Sequence, residues 1–182
     1  CTIGLAIPRG GIDGFITAGH CVDDTSGSGD DVYQPTEDLF GSNKVGDVSV
    51  DLYQAQCDCA WIDQSSADGN QKSVWSNTNT WTAITSFTNR PSSGTNVMLH
   101  GATSTLAYAV VDDPYATATI DGITFDVVDT TTDVSSGGDS GGAWTNYSSN
   151  NFMGTHQGAV DGSRSFFIPW ENVKSSTNGL GL

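Results

Sequence analysis

The segment Ala116-Thr-Ala-Thr-Ile-Asp-Gly-Ile-Thr-Phe-Asp-Val-Val128 decides the fold class of this 182-residue chain. On both sides of Asp121-Gly122, apolar residues alternate with polar ones, which is the period of a half-buried β-strand. Asp-Gly suits a two-residue hairpin turn, because both of its positions need positive φ. The segment therefore predicts a β-hairpin.

The same β character extends along the chain. Residues 48–52 alternate between apolar and polar side chains, and a second Asp-Gly at 161–162 joins runs at 152–160 and 164–168. Many short strands separated by turns predict an antiparallel all-β fold. Further strands are expected at 14–18, 97–101, 105–111 and 142–145.

One short helix is expected at the C-terminal end. Pro169 suits its first turn, Glu171 suits the positive end of the helix dipole, and Gly179 can end it. No apolar run is long enough to predict a membrane-spanning helix.

Charge limits the partners that this chain can bind. The formal net charge is −15, from 21 acidic and 6 basic residues. Such an excess disfavours nucleic acid and anionic lipid. It is typical of an extracellular protein that charge keeps soluble, and the alternative explanation is a high-salt habitat. A chain that begins at Cys1 is expected to be the processed, secreted product of a zymogen.

Four cysteines in a secreted protein suggest disulfides, and four allow three pairings. Cys57 and Cys59 would share one face of a strand, with Cα atoms about 6.6 Å apart. That separation is near the upper limit for a bridge, so we expect two buried thiols. A metal site at this pair lacks further ligands nearby.

Two motifs carry chemistry. Thr17-Ala18-Gly19-His20-Cys21 closes an apolar run, and Gly138-Asp139-Ser140-Gly141-Gly142 precedes another. A serine hydroxyl is a poor nucleophile at neutral pH and needs a base such as histidine to take its proton. Glycines beside a serine allow a tight turn that directs backbone N–H groups at one point, where they can stabilise an oxyanion.

These two motifs, in this order, resemble the chymotrypsin family of serine proteases, and the short length resembles its small bacterial branch of streptogrisins, α-lytic proteases and glutamyl endopeptidases. The resemblance runs from Cys1-Thr-Ile-Gly4 to Phe166-Phe-Ile-Pro169. It implies two six-stranded antiparallel β-barrels with a short C-terminal helix. We expect residues 1–90 to form the first barrel and 91–182 the second, joined through a polar stretch at 86–95, with the boundary near 86–96.

The family order His, Asp, Ser implies a catalytic triad of His20, Asp58 and Ser140. Asp58 lies in Cys57-Asp-Cys-Ala-Trp61, which fits the family's Asp-x-Ala segment, whereas the neighbouring Asp51 and Asp63 do not. The resemblance also implies an oxyanion hole formed by the backbone N–H groups of Gly138 and Ser140. It further implies a Cys1–Cys21 disulfide beside the histidine.

Asp139 resembles the buried carboxylate that supports the serine loop in this family. Bacterial members pair it with an arginine on the strand near residue 99, but this chain has Leu99 there. His100 or Arg90 is a candidate partner, because an unpaired buried carboxylate is costly.

The substrate pocket should be formed by segments 133–138 and 154–160, including Val134, Ser135 and Gly158. Val134 stands where a trypsin-like pocket needs Asp, so a preference for Lys or Arg is not expected. Gly154-Thr155-His156 resembles the strand of glutamyl endopeptidases whose histidine meets a substrate carboxylate. His156 and Ser135 therefore predict a preference for Glu before the cut. The alternative is a small or apolar residue.

These features together predict a monomeric serine endopeptidase that cleaves polypeptides and needs neither a metal nor an organic cofactor. A non-catalytic binding homologue on the same scaffold is the rival from another class. An esterase or a narrowly specific processing protease is the enzymatic rival.

Overall fold

The computed structural model describes residues 1–22, 31–33, 44–54, 56–64, 72–76, 80–160 and 162–177. Within these residues the chain forms two antiparallel sheets, one after the other in sequence, and a single α-helix. The all-β prediction is confirmed.

The first sheet contains the first seven strands in the order β3-β4-β5-β2-β1-β6-β7. A 3₁₀ turn, Gly19–Cys21, follows β2 after one intervening residue, Ala18. The strands are β1 Leu5–Ala6, β2 Gly14–Thr17, β3 Asp31–Tyr33, β4 Lys44–Gln54, β5 Cys57–Asp63, β6 Ser73–Ser76 and β7 Thr80–Ala83.

The second sheet contains the other seven strands in the order β10-β11-β14-β13-β12-β8-β9. Most of its buried residues come from β8, β11, β12, β13 and β14. The strands are β8 Asn96–Gly101, β9 Thr105–Val110, β10 Ala116–Ile120, β11 Ile123–Asp129, β12 Ala143–Asn146, β13 Phe152–Val160 and β14 Arg164–Pro169.

Among the described residues each sheet has seven strands, one more than the six expected in each barrel. The first sheet includes a very short strand, β1, which has two residues. A strand of two residues is too short to show an alternating pattern in the sequence.

The hairpin at 116–128 forms as predicted. β10 and β11 pair from Ala116 opposite Val127 to Ile120 opposite Ile123. Asp121 and Gly122 both have positive φ, 51° and 81°, as a two-residue turn of this type requires. Of the second expected turn, Asp161 lies outside the described residues.

The C-terminal helix α1 spans Trp170–Thr177. Pro169 is the last residue of β14 rather than part of the first helical turn, and Gly179 lies outside the described residues. Glu171 is in the first turn, as expected. In the part of the chain that the structure describes, no helix combines the length and apolarity needed to cross a bilayer.

The largest hydrophobic cluster lies between the two halves of the chain. It includes Leu5, Ile16 and Trp61 from the first sheet, together with Phe166 and Trp170 from the second half. Helix α1 packs against β5 as well as against β13 and β14. The junction between the sheets is therefore filled with apolar side chains, and the candidate site lies beside it.

Candidate active site

His20 and Asp58 form a hydrogen-bonded pair where β2 ends. His20 lies in the 3₁₀ turn after β2, and Asp58 lies in β5, which pairs with β2. The Asp58 carboxylate is fully buried and accepts a hydrogen bond of 2.7 Å from the backbone N–H of His20. Its other oxygen lies 2.5 Å from Nδ1 of the His20 ring. A carboxylate in this position favours the tautomer with a proton on Nδ1, which leaves Nε2 available as a base.

Gly19 allows this close approach. A Cβ added at Gly19 would lie 2.4 Å from the carbonyl oxygen of Leu52 and 3.0 Å from Oδ1 of Asp58. Any side chain would therefore push the histidine turn away from β4 and β5. The alternative Asp63 lies opposite Gly14, at the other end of β2 from His20, so the strand register favours Asp58 over Asp63.

Two disulfides flank this pair. Cys1 is bonded to Cys21, as the resemblance implied, and both sulfur atoms lie within 4.8 Å of a ring nitrogen of His20. Cys57 is bonded to Cys59, with Cα atoms 5.4 Å apart. The prediction of two buried thiols is wrong, because the strand between these cysteines is shorter than the ideal spacing on which it relied.

The serine loop, defined as residues 136–142, lies between the two sheets. The backbone N–H of Thr2 donates to the carbonyl oxygen of Ser140 at 2.6 Å. Gly141 has φ of +87°, and a Cβ on it would lie 2.2 Å from Oγ1 of Thr17. Thr17 is the last residue of β2 and precedes His20 by three positions. The glycine thus allows the loop carrying Ser140 to pack against the strand that leads to His20.

Within the described residues, Ser140 Oγ forms no hydrogen bond with the His20 ring. In unliganded enzymes such catalytic hydrogen bonds are often long, and they shorten when substrate binds. Ser140 is half-buried and the His20 side chain is 32% exposed, so both can meet a substrate.

The backbone N–H groups of Gly138 and Ser140 donate to no acceptor in the described part of the chain. Their neighbours do: Asp139 donates to Ser136, and Gly142 to Asp139. Gly138 has φ of +103°, which few other residues adopt. Two amides without an intramolecular acceptor beside Ser140 are suited to binding an oxyanion.

Asp139 is fully buried, and its partners are the Ser104 side chain and three backbone amides. Its Oδ1 accepts from the N–H groups of Thr103 at 2.8 Å and Ser104 at 3.0 Å, and its Oδ2 accepts from Ser136 at 2.8 Å. Burial opposes ionisation of Asp139, but these hydrogen bonds together hold its pKa below the ordinary value. A Cβ at Gly101 would lie 2.3 Å from Oδ1, so the turn requires glycine there.

Neither candidate partner of Asp139 is bonded to it. Arg90 contacts Asp126 and Glu171, each at 2.6 Å. The ring of His100 lies between the carbonyl oxygen of Trp75 at 3.2 Å and the hydroxyl of Thr145 at 3.0 Å. Burial lowers the pKa of His100 to about 4, so it is uncharged at neutral pH and could not form an ion pair.

His156 lies in β13 behind the serine loop. It is 2% exposed, and its backbone N–H donates to Gly142 while its carbonyl accepts from Gly141. The indole N–H of Trp144 donates to its Nδ1 at 3.3 Å, which leaves the ring proton on Nε2. Burial lowers the pKa of His156 to about 4. The ring is therefore a neutral donor at pH 7.

Ser135 is hydrogen-bonded to Asp133. The Ser135 N–H and hydroxyl both donate to Oδ1 of Asp133 at 3.0 Å, and the Ser165 hydroxyl donates at 2.9 Å. Burial opposes ionisation of Asp133, but these bonds outweigh it and hold the pKa of Asp133 below its ordinary value. The electrostatic effect of Asp133 also reaches His156. The expected pocket thus contains an ionised carboxylate.

The other two expected pocket residues have structural contacts. The N–H of Val134 donates to the Ser165 hydroxyl at 3.0 Å. Gly158 lies opposite Phe166, next to an irregularity in the pairing of β13 with β14. Ser165 and Trp144 were not predicted as site residues. Their strands were expected, but nothing local indicates that Ser165 reaches a carboxylate 32 residues earlier.

Comparison with known proteins gives matches among solved structures. No protein-family model and no curated protein matches the chain. Among solved structures, protease A of Thermobifida fusca is 25% identical, with a TM-score of 0.78, over 99% of this chain and 90% of that one. The chymotrypsin of Cellulomonas bogoriensis is 22% identical, with a TM-score of 0.78, over 100% of this chain and 90% of that one. A glutamic acid-specific serine protease, described as using a histidine triad in substrate binding, is 20% identical, with a TM-score of 0.79. The match covers 100% of this chain and 93% of that one.

The two-sheet architecture and these matches show that the chain has the fold of the chymotrypsin-like serine proteases. A further structure of the same fold is an α-lytic protease homologue, which is 21% identical with a TM-score of 0.73 over 93% of this chain and 85% of that one.

Proposed function

We propose that this chain is a secreted serine endopeptidase in which Ser140 is the nucleophile, His20 the general base and Asp58 the residue that orients the base. The observation that carries the proposal is the 2.5 Å contact between His20 Nδ1 and the buried Asp58 carboxylate. A carboxylate removed from water and aimed at this nitrogen stabilises the imidazolium that forms during the reaction.

In the proposed reaction, His20 Nε2 takes the proton of Ser140 as its oxygen attacks the substrate carbonyl. The resulting oxyanion accepts hydrogen bonds from the amides of Gly138 and Ser140. His20 then gives the proton to the leaving amine, which leaves the acyl group on Ser140. Water attacks this ester while His20 takes a proton from it, and His20 returns that proton to the Ser140 oxygen as the acid is released.

For the residue before the cut, we expect an uncharged side chain rather than Glu. Asp133 is ionised at neutral pH and affects His156, which is neutral. The Ser135 hydroxyl already donates a hydrogen bond to Asp133. The neutral ring of His156 already has hydrogen bonds with the Trp144 side chain and the Phe166 backbone, and a substrate carboxylate would face repulsion from Asp133. The ring of His156 lies beside that of Trp144, and Phe167 is opposite His156 in the sheet.

Labelling with a fluorophosphonate tests the catalytic assignment. We expect stoichiometric phosphonylation of Ser140, none in Ser140→Ala, and loss of labelling by several orders of magnitude in His20→Ala, since the nucleophile then lacks its base. Ser92→Ala, a change at an exposed serine, is the matched control and should label normally. An inert Ser140 in the folded wild-type chain would instead support the binding homologue. If ester substrates are hydrolysed but peptides are not, the esterase becomes the better assignment.

A peptide panel that varies only the residue before the cut tests the pocket. We expect Leu, Ala or Gln to outpace Glu at least tenfold at pH 7. Asp133→Asn should raise the Glu/Gln ratio of kcat/KM by about tenfold, because one repulsive charge is removed. Asp112→Asn, the same change at an exposed site, should leave the ratio unaltered. Faster cleavage after Glu than after Leu or Ala would restore the glutamyl preference.

A further inference from the structure

We propose that the Cys57–Cys59 disulfide is a positioning device for Asp58. This proposal rests on the proposed catalytic role of Asp58 and concerns how its carboxylate is held against His20. The bridge joins the two residues on either side of Asp58 in β5, so it spans the backbone of the aspartate itself.

The disulfide and the carboxylate lie on opposite faces of β5. Cys57 and Cys59 are fully buried in the cluster between the two sheets, which also contains Phe166 and Ile168. Asp58 is directed the other way, to His20. Successive residues of a strand alternate in this manner. The bridge is thus anchored in the core, while the carboxylate meets the imidazole.

The strand ladder holds this part of β5 on one side. β4 pairs along it, with Tyr53 opposite Asp58, but the pairing with β2 stops at Thr17 opposite Ala60. The described residues therefore provide β-pairing for residues 57–59 from β4 alone. A strand segment with one neighbour has more conformational freedom than one with two, and the covalent bridge limits that freedom at Asp58.

The bridge also sets the local length of the strand. Residues two apart in a regular strand have Cα atoms about 6.6 Å apart, from a rise of about 3.3 Å per residue. Cys57 and Cys59 are 5.4 Å apart. Without the bond, we expect the segment to relax toward the regular spacing and to move the Asp58 carboxylate. A catalytic group displaced by about 1 Å can lower the rate by about 100-fold.

A bridge between residues two apart restricts the unfolded chain much less than one between residues 20 apart. Loss of Cys57–Cys59 should therefore affect the active site more than the global stability. This contrast separates a positioning role from a merely structural one.

The experiment compares the wild-type chain with Cys57→Ala/Cys59→Ala and with Cys57→Val/Cys59→Val, which restores part of the lost volume. We expect kcat on a peptide substrate to fall about 10- to 100-fold in both, with KM changed less than twofold. Proton NMR should show the His20 Nδ1–H resonance broadened by faster exchange with water. Val74→Ala, a truncation in the same core cluster, should lower Tm but retain kcat and this resonance.

If both double variants retain wild-type kcat and an unchanged Nδ1–H resonance, the disulfide does not position Asp58. If their rates fall only in proportion to the fraction unfolded, its role is structural and the proposal is overturned. Failure of the proposed function has a different signature, because the wild-type Ser140 would then not react with a fluorophosphonate. The NMR comparison would still test whether the bridge orders the His20–Asp58 pair.

Discussion

At the scale of single residues, Asp139 shows how a buried charge is accommodated in this chain. Three backbone N–H groups point at its carboxylate, two from the turn after β8 and one from the serine loop. A carboxylate that accepts several backbone hydrogen bonds remains ionised without a cation nearby. Asp139 thus ties the turn at 103–104 to the loop that carries Ser140.

We expect Asp139→Asn to lower the free energy of unfolding at pH 7 by roughly 2–3 kcal/mol, the scale of hydrogen bonds to a charged group. The pKa of Asp139 is lowered by folding, so its stabilising effect is present above about pH 4 and is lost as pH falls through the lowered pKa. The difference between the variant and the wild-type chain should therefore shrink below pH 4.

Urea unfolding at pH 7 and at steps from pH 4 to pH 2 measures this difference. Asp112→Asn, at an exposed position, is the control for the change in net charge. A difference that stays constant over the whole range would mean that Asp139 is not ionised in the folded chain.

At the scale of elements, the strands whose side chains alternate could be predicted and the shortest could not. The hairpin β10–β11 formed with the expected turn because its alternation and its Asp-Gly are local properties. β5 differs, since all of its first six residues are buried and give no alternation. Its place in the sheet follows from its pairing with β2 and β4, which the sequence does not display.

His100 connects elements from both halves of the chain. It lies in β8, its Nδ1 donates to a carbonyl in β6, and its Nε2 accepts from a hydroxyl in β12. Because burial lowers the pKa of His100 to about 4, this bridge holds in its neutral form at physiological pH. The sequence suggested His100 as a charged partner for Asp139, whereas its environment makes it an uncharged link between the sheets.

At the scale of the whole molecule, the two sheets share one hydrophobic cluster. Residues from β1, β2, β5 and β6 pack with residues from β11, β13 and β14 and from the helix. Near the end of the chain, the carbonyl of Thr177 accepts a hydrogen bond from Arg9 Nε at 2.8 Å. Contacts with both halves of the chain therefore stabilise the C-terminal helix.

We expect the chain to unfold in one cooperative transition, because neither half buries its side of the shared cluster alone. Fragments 1–90 and 91–182, the two proposed barrels, should each lack a cooperative transition when expressed separately. Calorimetry of the whole chain should give equal calorimetric and van't Hoff enthalpies. Two resolved transitions, or a fragment that melts cooperatively by itself, would contradict this expectation.

The sequence alone determined the β class, the positions of most strands and the residues of the proposed triad. It could do so because alternation, Asp-Gly turns and the motifs around His20 and Ser140 are written in consecutive residues, and Asp58 follows from the order of residues in the family that those motifs resemble. The tertiary structure decided the partners of Asp139, the bond between Cys57 and Cys59, and the charge beside His156. The first and last of these depend on contacts between segments far apart in the chain. The disulfide depends on a strand spacing shorter than the regular one, which the two alternate cysteines do not specify by themselves.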